Sequence, residues 1–304
     1  MFELTTMTNA FLDYCKNRKA LSDKTLKAYS IDLKQFNRHA QGIYNRNTIC
    51  SYLSYLHNSF MPKTVKRKIA VLKAFTHYLM IEDVIEINPF DKIETNFREP
   101  LVLPKTLSLN IINGILSAAY SEYNLAVTEY HRKSAARDIT VLELLFATGA
   151  RVSEICSLKR SDVNIADHTI KFYGKGSKER IIQIENDAVR NAVSNYLYLF
   201  NEKIMLCGYF FVNKLNNRLT EQSVRSMINK YAMLSGSNMH ITPHMFRHSF
   251  ATLLLEEDVD IRYIQKMLGH SSITTTQIYT HVAMSKQKEI LSAKHPRNKI
   301  EISQ

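Results

Sequence analysis

Several features are missing or scarce in this sequence of 304 residues, and each absence closes off a class of protein. Nowhere do about 18 apolar residues follow one another, so no transmembrane helix is expected. The N-terminal stretch MFELTTMTNAFLDYCKNRK has no basic segment followed by an apolar one, and no secretory signal peptide is expected there. Cysteine is sparse: Cys15, Cys50, Cys156 and Cys207 are scattered, with no CxxC pair, and read as free thiols in a reducing cytosol, not as a disulfide frame or zinc site. There are no internal repeats, low-complexity tracts or lipidation motifs. Acidic residues are in deficit, 28 against 40 Lys and Arg, for a formal net charge of +12. The excess is shared, with 15 basic against 10 acidic residues in positions 1–100 and 25 against 18 beyond. Such a bias points to a polyanionic partner, although a merely basic soluble protein carries it too. A membrane surface is a poorer partner, because no strongly basic amphipathic end accompanies the charge.

What is present is ordinary globular material, 45% apolar and 22% charged, long enough for two domains. Residues 1–96 read as a small all-helical unit. Ser22 is a natural cap for a helix over Lys24–Ala40, where Leu26, Tyr29, Leu33 and Phe36 recur at helical spacing. A second helix is expected from Pro62 to Met80, with Val65, Ile69, Leu72, Phe75 and Leu79 on one face and Lys63, Lys66, Arg67 and Lys73 opposite. An apolar back with a basic front suits DNA phosphates or the major groove, and a solvated charged face has the same pattern. Residues 97–107, with Pro100 and Pro104, read as a linker. Residues 108–304 return to helix, interrupted by a hairpin in which Thr169–Tyr173 and Arg180–Ile184 alternate around Gly174-Lys175-Gly176-Ser177-Lys178. The expected fold is mainly α with a small antiparallel β-sheet: an all-helical N-terminal domain and a mixed α+β C-terminal one.

The second half carries a set of residues suited to phosphoryl transfer. Guanidinium groups stabilise charge on non-bridging phosphate oxygens because their planar fork matches two of them. Arg151 follows Thr148-Gly149-Ala150, where the apolar helix Val141–Ala147 ends, and Glu154 lies three residues on. Glu154 is placed to orient Arg151 or a neighbouring histidine, and a structural Arg–Glu pair would look alike. His244 and Arg247 fall one turn apart on a helix opened by Thr242 and Pro243, and His248 is also within a turn. Lys175, between two glycines at the hairpin tip, is able to carry an ammonium to a leaving oxygen as general acid. Lys178 and Arg180 are expected on DNA backbone. A nucleotide-binding reading fails, because GKGSK lacks GxxxxGK[ST] and joins two strands. A metal reading of His240, His244, His248, His270 and His281 lacks the HExxH form and sets Arg247 in their midst. Gly269 closes a helix over Asp260–Leu268, His270 follows, and Tyr279 lies in the next helical segment. Tyr279 is one of 16 tyrosines, and a phenol needs assistance to act as a nucleophile at neutral pH. The stretch IRYIQKMLGHSSITTTQIYTHV also has the pattern of a helix-turn-helix reader, which leaves a non-catalytic DNA-binding regulator as the alternative.

In order and spacing, Arg151-Val152-Ser153-Glu154, Gly174-Lys175-Gly176, His244-Met245-Phe246-Arg247 and Leu268-Gly269-His270 with Tyr279 resemble the tyrosine site-specific recombinases of the phage integrase family, and within it the Xer-type enzymes. The similarity extends to SDKTLKAYSIDLKQF near the N-terminus, which resembles the first helix of the family's core-binding domain. The resemblance implies that Tyr279 attacks a DNA phosphate to form a 3′-phosphotyrosyl link, with Arg151 and Arg247 holding the phosphate. It implies that His244 assists proton transfer, His270 hydrogen-bonds the phosphate, Lys175 protonates the leaving oxygen and Glu154 supports them. It further implies no cofactor, neither ATP nor metal, and a DNA clamp formed by a SAM-like core-binding domain and a catalytic domain. The implied partners are double-stranded DNA with a short inverted-repeat site and a homo-tetramer, or a hetero-tetramer with a second recombinase, meeting at a Holliday junction in the cytoplasm at the nucleoid. Chromosome or plasmid dimer resolution and mobile-element integration both fit. A tail after Val282 would dock on a neighbouring protomer, and no extra arm-binding domain is expected. The segment Ser121–Arg137 is longer than the usual connection before the first arginine.

Overall fold

The computed structural model describes residues 3–98, 103–174 and 179–269. The chain divides into two compact units between residues 101 and 102. The first consists of four helices: α1 (Leu4–Asn17), α2 (Asp23–Ala40), α3 (Arg46–Ser59) and α4 (Pro62–Ile81). Local signals explain their ends. The Ser22 side chain accepts from the Thr25 amide at the start of α2, Asn45 does the same for Thr48 in α3, and Pro62 opens α4. Each helix contributes an apolar stripe to one core, in which Phe11, Phe36, Tyr52, Leu72 and Phe75 are almost wholly inaccessible to solvent. Phe75 packs its ring edge-on against Phe11 and Tyr44.

The second unit is built around α6 (Glu129–Thr148), which packs against α5 (Leu109–Asn124), α8 (Asp187–Cys207), α9 (Glu221–Leu234) and α10 (Pro243–Glu256). Residues 138–145 of α6 are all buried, as befits a helix covered on every side. Two buried acids on it have partners: Asp138 accepts from Arg137 and Tyr231, and Glu143 from the Tyr120 hydroxyl. Segment 121–137 is helix for most of its length, with residues 125–128 alone between α5 and α6.

After α6 come the short α7 (Val152–Ser157), a 3-10 turn and a three-stranded antiparallel sheet in the order β1 (Val163–Asn164), β2 (Thr169–Tyr173), β3 (Glu179–Gln183). The register pairs Phe172 with Arg180 and Ile170 with Ile182. Ile170, Phe172 and Ile182 are buried, so one face of the hairpin is inward. The two hairpin strands stand as expected, with β3 one residue earlier than the alternation suggested, while turn residues 175–178 lie outside the described residues. A short α11 (Ile261–Leu268), capped by Asp260 and closed by Gly269 at φ +65°, packs against α10 and β3.

Gly149 decides where Arg151 goes. It ends α6 in the left-handed conformation, at φ +58°, and the chain turns at once into α7. A Cβ there would stand 2.6 Å from Phe250 Cδ1 and 2.8 Å from Leu268 Cδ2. Gly149→Ala is therefore expected to destabilise the protein by roughly 2–4 kcal/mol, from backbone strain and overpacking together. Urea unfolding of the full chain measures it, and a loss below about 0.5 kcal/mol would contradict this account.

Candidate active site and a basic helical face

Arg151 caps α7 with an arrangement that also fixes its own side chain. Its backbone amide donates to Glu154 Oε2 at 2.7 Å and its Nη1 to Oε1 at 2.8 Å. Arg180 approaches the same carboxylate from β3, with Nη1 at 2.8 Å from Oε1 and Nη2 at 2.7 Å from Oε2. Its Nε donates to the Met267 carbonyl at 2.8 Å, and the guanidinium lies over the Phe172 ring. Burial by itself would raise the Glu154 carboxyl, but the hydrogen bonds and charges of Arg180 and Arg151 outweigh it and hold it below the usual carboxylate range. The side chain of Arg151 stays 33% exposed, against 8% for Arg180. One arginine faces outward and the other is structural.

Arg247 is buried, at 3% exposure, on the inner side of α10. Its Nη1 donates to the Gly149 carbonyl at 2.7 Å and its Nη2 to the Leu268 carbonyl at 2.8 Å. Both oxygens belong to helix C-terminal ends, where partial negative charge favours a cation. His244, one turn earlier, is exposed at its edge. Packing over part of its ring, then the positive charges of Arg247, Arg151 and Arg225, push its pKa down, with Glu221 acting weakly the other way. The imidazole is therefore neutral at neutral pH, with a donor and an acceptor nitrogen. Arg151 thus comes together with His244 and Arg247 although it lies far from both in the chain. His248 lies deeper on α10, and burial followed by His244 and Arg247 lowers its pKa to about 4.

Lys175, Lys178, His270 and Tyr279 lie outside the described residues. One contributor escaped sequence reading, and another was given a different role. Arg225, on α9 and paired with Glu221, adds positive charge beside His244. Arg180, expected on DNA backbone, has its guanidinium committed to Glu154 and Met267 instead. The signal was available: strand alternation sets Arg180 on the same face as Ile182, which is buried. Among the described residues, no three His, Cys, Asp or Glu side chains are grouped to hold a metal ion, and no helix is long and apolar enough to cross a membrane.

In the first unit, Lys63, Lys66, Arg67 and Lys73 all lie on the exposed side of α4, opposite its core stripe. Lys73 Nζ donates to Thr95 Oγ1 at 2.6 Å. Arg67 bonds to Asp32 on α2 through Oδ2, while Lys68 takes Oδ1 of the same carboxylate at 2.7 Å. Ala70 is exposed and Ala74 half-buried between the charged side chains, so the stripe is smooth at its centre.

Residues 118–286 match the phage integrase family, and residues 8–83 match the phage integrase N-terminal SAM-like domain. The chain belongs to the phage integrase family. It is a tyrosine recombinase of the Xer type, an enzyme of site-specific recombination. A tyrosine recombinase of Agathobacter rectalis is 52% identical over 98% of each chain, and the tyrosine recombinase XerD of Staphylococcus saprophyticus is 34% identical over 97% of this chain and all of its own. The fold is shared with a crystal structure of the XerH site-specific recombinase bound to palindromic difH substrate, at a TM-score of 0.77 and 21% identity over 94% of this chain and 84% of that one.

Two outcomes follow for this recombinase. Arg180→Ala leaves the buried Glu154 carboxylate with Arg151 alone and should cost roughly 3 kcal/mol or more, read by denaturant unfolding. His248, with its folded pKa at about 4 against an ordinary 6.5, favours the native state above pH 6.5. As pH falls from there toward 4 the unfolded chain takes up the proton first, and stability drops. The loss is roughly 2 kcal/mol once the ring's partial exposure is allowed for. Melting temperatures across that range should fall less in His248→Gln than in wild type, and equal slopes would refute the assignment.

Proposed function

We propose that this recombinase cuts and rejoins double-stranded DNA at short inverted-repeat sites, with Tyr279 as nucleophile. The observation that carries the reading is the convergence of two fixed guanidiniums, Arg151 and Arg247, with the neutral imidazole of His244. Such a group stabilises the charge that develops on a phosphate in the transition state and costs no reorganisation as it does so. XerH, with the same fold, is bound to a palindromic substrate in a post-cleavage complex, which supports an inverted-repeat site here.

In the proposed step the Tyr279 oxygen attacks phosphorus, with His244 assisting loss of the phenolic proton, and the bond from phosphorus to the 5′ oxygen breaks. Lys175 supplies the proton to that oxygen. Arg151, Arg247 and His270 hold the non-bridging oxygens, and Glu154 keeps Arg151 in place. One ester replaces another, so the energy of the DNA backbone is conserved and neither ATP nor a metal ion is required. Attack of a 5′ hydroxyl from the other duplex on the 3′-phosphotyrosine reverses the chemistry and exchanges the strand. Exchange between two duplexes needs four cleavages and hence four tyrosines, which calls for a tetramer on a Holliday junction, made of this chain alone or with a second recombinase. Residues 1–96 act as the core-binding domain, 97–107 as linker and 108–304 as the catalytic domain, and both domains bind the same chromosomal DNA in the cytoplasm. The basic stripe of α4 lies along that DNA, because its small alanines allow close approach while the lysines around them meet phosphates.

Covalent capture tests the reading. Wild-type protein and Tyr279→Phe are incubated with nicked genomic fragments in EDTA, denatured in SDS, and the attached DNA is sequenced. Wild type alone should retain DNA, and its sequences should share one inverted repeat. Arg247→Lys should slow adduct formation roughly 100-fold or more. Sequence-specific binding with no adduct would point instead to a regulator that does not cut.

A further inference from the structure

The buried carboxylate of Asp32 is used twice, and the second use has no role in neutralising it. Asp32 is 3% exposed, and Lys68, itself 5% exposed, meets its Oδ1 at 2.7 Å. That pair already balances the charge inside the unit. Lys68 is further satisfied by Gln35 Oε1 and by the face of Phe60. The remaining oxygen, Oδ2, accepts from Nη1 of Arg67, whose side chain is 47% exposed. A half-exposed arginine needs no carboxylate for its solvation, so what the bond supplies is orientation. One corner of the guanidinium is tied to the protein, and its orientation on the exposed side of α4 is restricted.

The setting fits reading rather than simple adhesion. Arg67 lies one turn beyond Lys63 and one before Ala70, on a stripe whose centre is small enough for a helix to enter a groove. Lys63 is a flexible point charge suited to a phosphate, whereas a planar guanidinium with restricted orientation matches two acceptors at once. In the major groove that pair of acceptors is O6 and N7 of guanine. We infer that Arg67, oriented by Asp32, reads a guanine in each half-site of the target and sets specificity there, while the lysines around it supply affinity. The inference rests on the function proposed above and adds to it the base-reading residue.

The test is selection from a random-sequence DNA library by the full-length wild type, Arg67→Lys and Lys63→Ala, with a melting curve for each. Arg67→Lys keeps the charge and loses the fork. It should select the wild-type motif with one G·C position per half-site degenerate, discriminating there roughly tenfold to a hundredfold less than wild type. Its salt dependence and melting temperature should be unchanged. Lys63→Ala should select the full motif with weaker binding on every sequence and a salt slope lower by about one. An unaltered motif from Arg67→Lys would overturn the inference and make Arg67 a phosphate contact. A lowered melting temperature with the motif degraded throughout would overturn it too, making the Asp32 bond structural. If wild type bound no DNA at all, the proposed function itself would fall, and this inference with it.

Discussion

A full positive charge buried inside a protein must be stabilised without being cancelled if it is to act on an anion. Arg247 meets this requirement through the carbonyls of Gly149 and Leu268, one just past the end of α6 and one at the end of α11. Carbonyl oxygens carry only partial charge, so they hold the guanidinium without neutralising it. The same two bonds tie α10 to the ends of two other helices. Those ends are in reach because Gly149 and Gly269 both leave their helices in the left-handed conformation. The placement of Arg151, two residues after Gly149, follows from the same turn.

Glu154 serves the opposite purpose. It is a buried carboxylate shared by two arginines, so the group of three keeps one positive charge. Arg180 is enclosed, and the outward-facing charge is left to Arg151. Because Arg180 is also bonded to the Met267 carbonyl, it links β3, α7 and the last turn of α11. Side chains fixed in this way need little rearrangement to meet an anion, which is what electrostatic preorganisation demands.

The first unit repeats the theme with different means. Lys68 and Asp32 form an enclosed pair between α2 and α4, and the second carboxylate oxygen reaches Arg67 at the surface. In both units a buried acid determines the direction of an exposed arginine. A guanidinium held in this way loses less freedom on meeting its partner than a lysine does, and selectivity gains accordingly.

By itself the sequence determined the helices, the hairpin and the family. Apolar spacing, caps such as Ser22, and stop signals such as Gly149 and Gly269 act over one or two turns, so they are legible in one dimension. The motif around Arg151, His244 and Arg247 was legible because its order and spacing are particular to one family. Only the tertiary structure decided which partner each cation meets. Arg180 and Arg67 sit in equally basic surroundings in the sequence, yet one is committed to Glu154, 26 residues away, and the other shares Asp32, 35 residues away, with a buried lysine. Arg247 owes its setting to a carbonyl 98 residues distant. A side chain's role as clamp, reader or strut depends on the partner folding brings to it, and local pattern carries no record of that partner.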